Sequence, residues 1–234
     1  MVYWTVVNAN LSDGRLDAEF NDWYNRVHVP NFVAMPGFTR AWRVRRLMHS
    51  EQRGDPGQEF LAIYETETID AFLAALHKTE LESGHSWEGW ERHLTDWQRS
   101  YHRVLGAWRD EAEVQDSVGR YWSIVRVDYE SQAGFAERDF NAWYSDVHVP
   151  EVIGNRGFGR AWRLETVPHE EQLGDPRQKY WAVYETERVD DLVVARRDTT
   201  AWDGVWAPGI ANWSQHYHEV LYEHRHEHRR GESD

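Results

Sequence analysis

With 234 residues, the chain can form one large domain or two of about 100 residues each. A formal net charge of -14 argues against a nucleic-acid partner, whose phosphates it would repel. The lack of cysteine excludes disulfides, thiolate nucleophiles, iron–sulfur clusters and Cys-based zinc sites. No apolar run approaches the roughly 20 residues of a membrane span, and no secretory signal pattern is visible, so a cytosolic location is expected. Fourteen tryptophans are the compositional outlier. They either fill the cores of small domains or line an aromatic cavity.

The first elements follow from local pattern. Val2 to Asn8 is rich in β-branched and aromatic residues and reads as a strand. The turn signal Ser12–Gly14 precedes a helix from about Ala18 to Val29, with Asp17 as its expected N-cap. Phe20, Trp23, Tyr24 and Val27 form the apolar stripe of that helix. Asn21, Tyr24 and His28 lie along its edge. Pro30 disfavours helix at Val29, which puts His28 at or just past the last turn.

A turn at Met35–Gly37 leads into a strand from Phe38 to Leu47. Alternation places Phe38, Arg40, Trp42 and Val44 on one face and Thr39, Ala41, Arg43 and Arg45 on the other. A loop at Glu51–Gly57 precedes a strand at Glu59–Glu65 and a helix at Thr68–His77. Glu80–Trp97 combines Trp87, Trp90, Leu94 and Trp97 at helical spacings with interruptions at Gly84 and Gly89, and is left unassigned. Ser100–Trp108 reads as a fourth strand. The order is β-α-β-β-α-β, the ferredoxin-like arrangement.

The chain then repeats itself. Phe20–Arg43 and Phe140–Arg163 align without a gap and are identical at 14 of 24 positions. Strands are expected again at Tyr121–Val127, Gly157–Thr166, Tyr180–Glu187 and Trp213–Leu221, with helices at Asp139–Val149 and Val189–Arg197. The division is therefore a first repeat at 1–108, a linker at 109–118, a second repeat at 119–222 and a polar tail at 223–234. The tail histidines alternate with arginines, which favours a frayed end over a metal site. Each unit covers one sheet face with helices and leaves the other open. Two units can turn their open faces together and share one core.

The element order, the motif F-N-x-W-Y-x-x-V-H-V-P and the following Gly-Phe-x-Arg strand resemble the dimeric α/β-barrel superfamily, and within it the EthD-like group. The resemblance spans both halves and implies an α+β fold of tandem ferredoxin-like repeats forming a pseudo-dimer. It implies a pocket between the first helix and the sheet of each unit. Members of this superfamily include cofactor-free monooxygenases, cyclases, isomerases, lyases, haem-dependent enzymes and proteins without known activity. Most are homodimers of single units, so fusion could let one chain form the barrel alone. Further pairing of two chains stays open.

His28 and His148 are the first candidates for general acid–base chemistry, against the alternative that each only interacts with helix-terminal carbonyls. Tyr24 and Tyr144, one turn earlier, could donate to a carbonyl or phenolate oxygen. Asn21 and Asn141 either orient substrate or bond to backbone. Arg40 and Arg160 either hold a substrate anion or pair with Glu65 and Glu185. Trp42 and Trp162 share the arginines' face and could stack on an aromatic ligand. His102 and His218 form a second pair of bases. No phosphate-binding glycine pattern or metal-ligand spacing appears, so no cofactor and no metal are expected. The expected function is a lyase, isomerase or cyclase acting on an aromatic or polyketide-like small molecule by histidine acid–base chemistry. The alternatives are a non-catalytic binding or structural protein, and a cofactor-free or haem-dependent oxygenase.

Overall fold

In the computed structural model, residues 1–83, 89–108, 121–131, 136–191, 193 and 206–226 are described. The first half contributes β1 (Tyr3–Leu11), α1 (Asp17–Trp23), α2 (Val29–Val33), β2 (Phe38–Arg46), β3 (Phe60–Thr66), α3 (Ile69–Ser83) and β4 (Leu94–Trp108). The second contributes β5 (Tyr121–Tyr129), α4 (Glu137–Trp143), α5 (Val149–Ile153), β6 (Phe158–Val167), β7 (Tyr180–Thr186) and β8 (Ile210–Arg225). The expected linker at 109–118 lies outside the described residues. So does most of the expected helix at Val189–Arg197, which is helical at 189–191 and 193.

The eight strands close into one barrel in the order β1-β3-β2-β8-β5-β7-β6-β4, and every neighbouring pair is antiparallel. Two seams join the halves. β2 pairs with β8 and β4 with β6, so neither half keeps an open edge. Because β1 and β5 run in the same direction, the pseudo-two-fold lies along the barrel axis. The helices cover the outside and the two open sheet faces become the interior.

Strand alternation sorts the side chains. Trp4, Val6, Trp42, Val44, Leu61 and Ile63 point inward, as do Trp122, Ile124, Trp162, Leu164, Trp181 and Val183. Phe60, Ala62, Tyr64 and Tyr101 point outward under the helices, matched by Tyr180, Ala182, Tyr184 and Tyr217. One expected facing is corrected. A bulge between Phe38 and Arg40 turns Phe38 outward, where it packs with Ala41 rather than with Trp42.

Four tryptophans plug the barrel. Trp4, Trp42, Trp122 and Trp162 make six mutual contacts, with centroids 5.0 to 6.2 Å apart. Two carboxylates finish the plug: Trp4 Nε1 donates to Glu65 at 3.0 Å, and Trp122 Nε1 donates to Glu185 at 3.1 Å. These two indole N–H groups are thus satisfied by protein, while Trp42 Nε1 is buried without a hydrogen-bond partner among the described residues.

Three boundaries differ from expectation. The first helix does not stop at Val29. It runs through a π-helical turn, Tyr24–His28, and continues as α2. Val29 N–H bonds Tyr24 O across that turn, and the wider winding accommodates Pro30, which has no N–H to give. The same turn recurs at Tyr144–His148. Leu16, not Asp17, is the N-cap; Asp17 instead accepts from Asn21 at 2.9 Å and from Arg45 at 3.2 Å. Finally, the tail expected from residue 223 continues β8 to Arg225, paired with Arg40 on β2. Leu94 and Trp97, in the unassigned segment, belong to β4.

The plug carries a stability prediction. Trp4→Ala leaves a cavity in a filled interior and is expected to cost about 3–5 kcal/mol. Urea unfolding of the variant and the parent checks this, and a loss under about 1 kcal/mol contradicts the plug's role.

Candidate functional site

Each π-helical turn delivers a tyrosine and a histidine to the outer sheet surface. Tyr24 is buried beside Tyr64 of β3, whose hydroxyl donates to Tyr24 Oη at 3.3 Å. Beneath them lies Arg43 of β2, only 1 % exposed, with its guanidinium 4.0 Å from the Tyr24 ring centroid. Among the described residues its charge meets no carboxylate partner; Arg43 Nη1 donates to Asn25 Oδ1 at 3.0 Å. Burial lowers the Arg43 pKa to about 10, so it stays cationic at neutral pH. Burial raises the pKa of Tyr24, partly offset by Arg43, so the phenol stays protonated.

The second copy repeats this set with Tyr144, Tyr184 and Arg163, whose guanidinium lies 4.1 Å from the Tyr144 ring. Arg163 is better satisfied. It donates to Asn141 Oδ1 at 2.9 Å, Asn141 O at 3.2 Å and Ser145 Oγ at 3.3 Å.

His28 and His148 sit inside aromatic cages rather than at helix ends. His28 is 5 % exposed, with ring centroids 4.5 Å from Tyr24, 4.8 Å from Phe32 and 5.1 Å from Trp23. His148 stacks on Trp143 at 5.2 Å and meets Tyr144 at 4.6 Å. The expected placement at a helix C-terminus is corrected, because the helix continues past each histidine. Burial, then the neighbouring Arg163, lowers the His148 pKa to about 4.

A cleft opens in the first copy. It measures about 240 Å³ including solvent at its mouth and is lined by Val7, Ala9, Phe20, Tyr24, Arg43, Phe60, Ala62 and Leu94. The matching second-copy positions carry larger side chains. Val127 stands where Ala9 is, and Tyr180 where Phe60 is, by identical strand register. Both changes add atoms to the same space.

The remaining sequence candidates divide between the two faces of the sheet. Asn21 donates to Asp17 O at 2.9 Å, and Asn141 to Glu137 O at 3.1 Å, so both amides serve the helix; Asn141 also receives Arg163. Trp42 and Trp162, expected to stack on a ligand, are instead packed at tilted and edge-on angles against the plug tryptophans. Arg160, expected near a substrate anion, is held by Glu185 at 2.7 and 2.9 Å and Glu223 at 2.7 and 3.0 Å. Gly159 permits this, since a Cβ there would approach Glu185 Oε1 to 3.2 Å. Arg40 lies 3.7 Å from Glu223 and 5.1 Å from the Trp42 ring. His102 and His218 are in the barrel interior, so the sheet separates them from His28 and His148. His102 bonds Ser100 Oγ at 2.9 Å and Thr166 Oγ1 at 3.3 Å.

Sequence reasoning missed Arg43 and Arg163 as site residues. The signal was present: both arginines survive in the repeat and fall on the face opposite Trp42 and Trp162. It also missed Arg126 and His216.

No family model matches the sequence, and no curated protein does. Solved structures do match. A protein assigned as a monooxygenase from Fusobacterium nucleatum superposes with TM-score 0.64 at 10 % identity, over 96 % of this chain and 94 % of that one. An anthrone oxidase-like protein gives TM-score 0.63 at 10 % identity over 97 % and 94 %. Chlorite dismutase from Candidatus Nitrospira defluvii gives 0.56 at 10 % identity over 94 % and 92 %. The chain has the dimeric α/β-barrel fold. Here the barrel closes within one polypeptide.

Haem, which some proteins of this fold resemblance use, does not fit the first-copy cleft. It needs an imidazole facing a cavity of several hundred Å³, on the order of 300–1,000 Å³ for bound ligands. The first-copy cleft has no histidine in its wall, and His28 is enclosed by aromatic rings. Among the described residues, no group of three His, Asp or Glu is placed to hold a metal ion. No described helix is long and apolar enough to cross a membrane.

The buried histidines set a pH dependence. His102, His148 and His216 have pKa values lowered from 6.5 to about 3, 4 and 4, in each case chiefly by burial. The unfolded chain therefore binds more protons than the folded one below the ordinary histidine range. Stability is full above pH 6.5 and falls as pH drops towards 4. Urea midpoints should decline between about pH 7 and 5, before most carboxylates titrate. His148→Gln should make that decline shallower; an unchanged slope counts against its buried neutral state.

Proposed function

We propose that this protein is a cofactor-independent small-molecule enzyme whose working site is the first-copy cleft. The substrate is an aromatic or polyketide-like compound carrying a carbonyl or phenol oxygen. The observation that carries this reading is Arg43: a buried cation, without a carboxylate partner among the described residues, in an otherwise apolar and aromatic wall beside the Tyr24 hydroxyl. Such a wall favours a flat apolar body, and the Arg–Tyr pair favours negative charge on one oxygen.

The chemistry follows from those groups. A base removes a proton from carbon next to the carbonyl, and the electron pair moves onto oxygen. Tyr24 donates a hydrogen bond to that oxygen and Arg43 neutralises it. His28, the base candidate, is packed behind Tyr24 and outside the cleft wall, so it reaches a substrate only when the aromatic cage around it opens. Return of the proton elsewhere gives isomerisation; expulsion of a leaving group gives a lyase; attack on a second carbonyl gives cyclisation. The space enclosed by the cleft wall is about 10 Å³, room for roughly one water, so a substrate enters only by local opening of the wall.

A second reading begins with the same proton removal. The fold neighbours assigned as monooxygenase and anthrone oxidase-like favour capture of the resulting carbanion by dioxygen. Anthrone, whose methylene is acidified by its ring carbonyl, is therefore one test compound. Turnover with oxygen consumption supports the oxygenase; turnover without it supports the isomerase or lyase.

Two variants test the site. Arg43→Met should lower kcat by about 100-fold, the scale of one lost oxyanion contact. Circular dichroism of the same sample shows whether the fold is kept, and full turnover in a folded Arg43→Met protein would sink the assignment. Ala9→Val copies the second-copy residue into the cleft and should raise KM or abolish binding while changing the melting temperature little.

A further inference from the structure

The two ends of the barrel interior treat their arginines in opposite ways. At the end holding Glu65 and Glu185, Arg160 is held by two carboxylates. At the other end stands Arg126 of β5, only 3 % exposed. No described side chain or backbone oxygen accepts a hydrogen bond from it, and no carboxylate forms an ion pair with it. Its guanidinium lies over Trp181, 4.2 Å from the ring centroid, and its Nε is buried without a partner. Burial of an arginine without an anion is costly.

Its neighbours share that character. His102, His216 and His218 all feel the Arg126 charge. His218 is fully buried and has no side-chain hydrogen-bond partner among the described residues, its polar contact being with the His216 backbone; His216 Nδ1 has no partner. Arg46 and Arg177 add positive potential. The carboxylate acting on Arg126 is Asp55, which is 74 % exposed at the rim and already paired with Arg177 at 3.1 Å. A buried guanidinium and three neutral imidazoles, each with one N–H donor, therefore gather at this end, with His102 and Arg126 both against the Trp181 ring.

The repeat isolates this feature to one half. By strand register Arg126 occupies the place of Asn8, and His216 that of Ser100. The first half contributes neutral groups where the second contributes a fixed charge and an imidazole. A requirement of the barrel itself would apply to both halves.

We propose that this end of the barrel interior binds one small monovalent anion, a halide or a compact oxyanion such as nitrate or formate, among Arg126, His102, His216 and His218. One fixed buried charge calls for one monovalent partner. The near-complete burial of all four side chains selects small ions over the carboxylate of a larger organic acid. The loop at Glu51–Gly57 lies against this end, with Gly54 O 3.4 Å from His216 Nε2. This site lies on the opposite face of the sheet from the Arg43 cleft and stands apart from the proposed reaction.

Thermal unfolding of the full chain at about pH 7 and fixed ionic strength tests it, with chloride, bromide, nitrate, formate and benzoate replacing a bulky sulfonate. The small anions should raise the melting temperature saturably, by about 5 °C or more at a hundredfold excess over Kd. Arg126→Met should show no such rise. Equal rises in parent and variant, or stabilisation by benzoate alone, overturn the proposal. Should Arg126→Met fail to fold, bromide-soaked crystals of the parent decide: an anomalous peak within hydrogen-bonding reach of Arg126 or His218 supports the site, and peaks only elsewhere reject it.

Discussion

Closure of the barrel across two seams is the constraint on which everything else depends. Each half alone is a four-stranded sheet with helices on one side. Its other face, built from Trp4, Val6, Trp42, Val44, Leu61 and Ile63, would lie open to water. Pairing β2 with β8 and β4 with β6 turns that face inward and satisfies both sheet edges at once. Eight strands leave an interior that side chains can just fill. Four indoles fill its middle, and Glu65 and Glu185 take two of their N–H groups. Much of the unusual tryptophan content is thereby explained as packing.

Duplication frees the two copies to differ wherever closure does not require sameness. The plug tryptophans and the His–Tyr–Arg set occur twice. Differences gather around them. Ala9 and Phe60 line the first-copy cleft, and the larger Val127 and Tyr180 stand at the matching positions of the other half. Gly159 lets Glu185 reach Arg160, whereas Thr39 takes the matching Glu65 through its hydroxyl at 2.6 Å. Asn8 is replaced by Arg126. The first copy thus carries the open helix–sheet surface, and the second carries the charge inside the barrel.

Legibility in the sequence followed the range of the interactions involved. The repeat, the β-α-β-β-α-β order and most strand positions rest on local periodicity, and they match the structure within a few residues. The bulge at Phe38 and the π-helical turns were hidden, because each adds a residue to a pattern that counting assumes to be regular. Those small additions mattered. The bulge moved Phe38 to the outer surface, and the π-turn carried His28 into an aromatic cage inside a continuing helix. His102 and His218 were recognised as candidates, but their face was not, and with it their separation from His28.

The sequence by itself determined that two copies of one ferredoxin-like unit exist, where their strands begin, and which aromatic and basic residues recur in both. Hydrophobic period and turn chemistry are properties of neighbouring residues, so they can be read in line. Only the tertiary structure decided which arginines keep a bare charge. Arg160 and Arg126 look alike along the chain. One meets Glu223 from β8 and Glu185 from β7, while the other lies over an indole and forms no ion pair among the described residues. Charge compensation is a contact between strands far apart in sequence, and closing the barrel is what selects the partners.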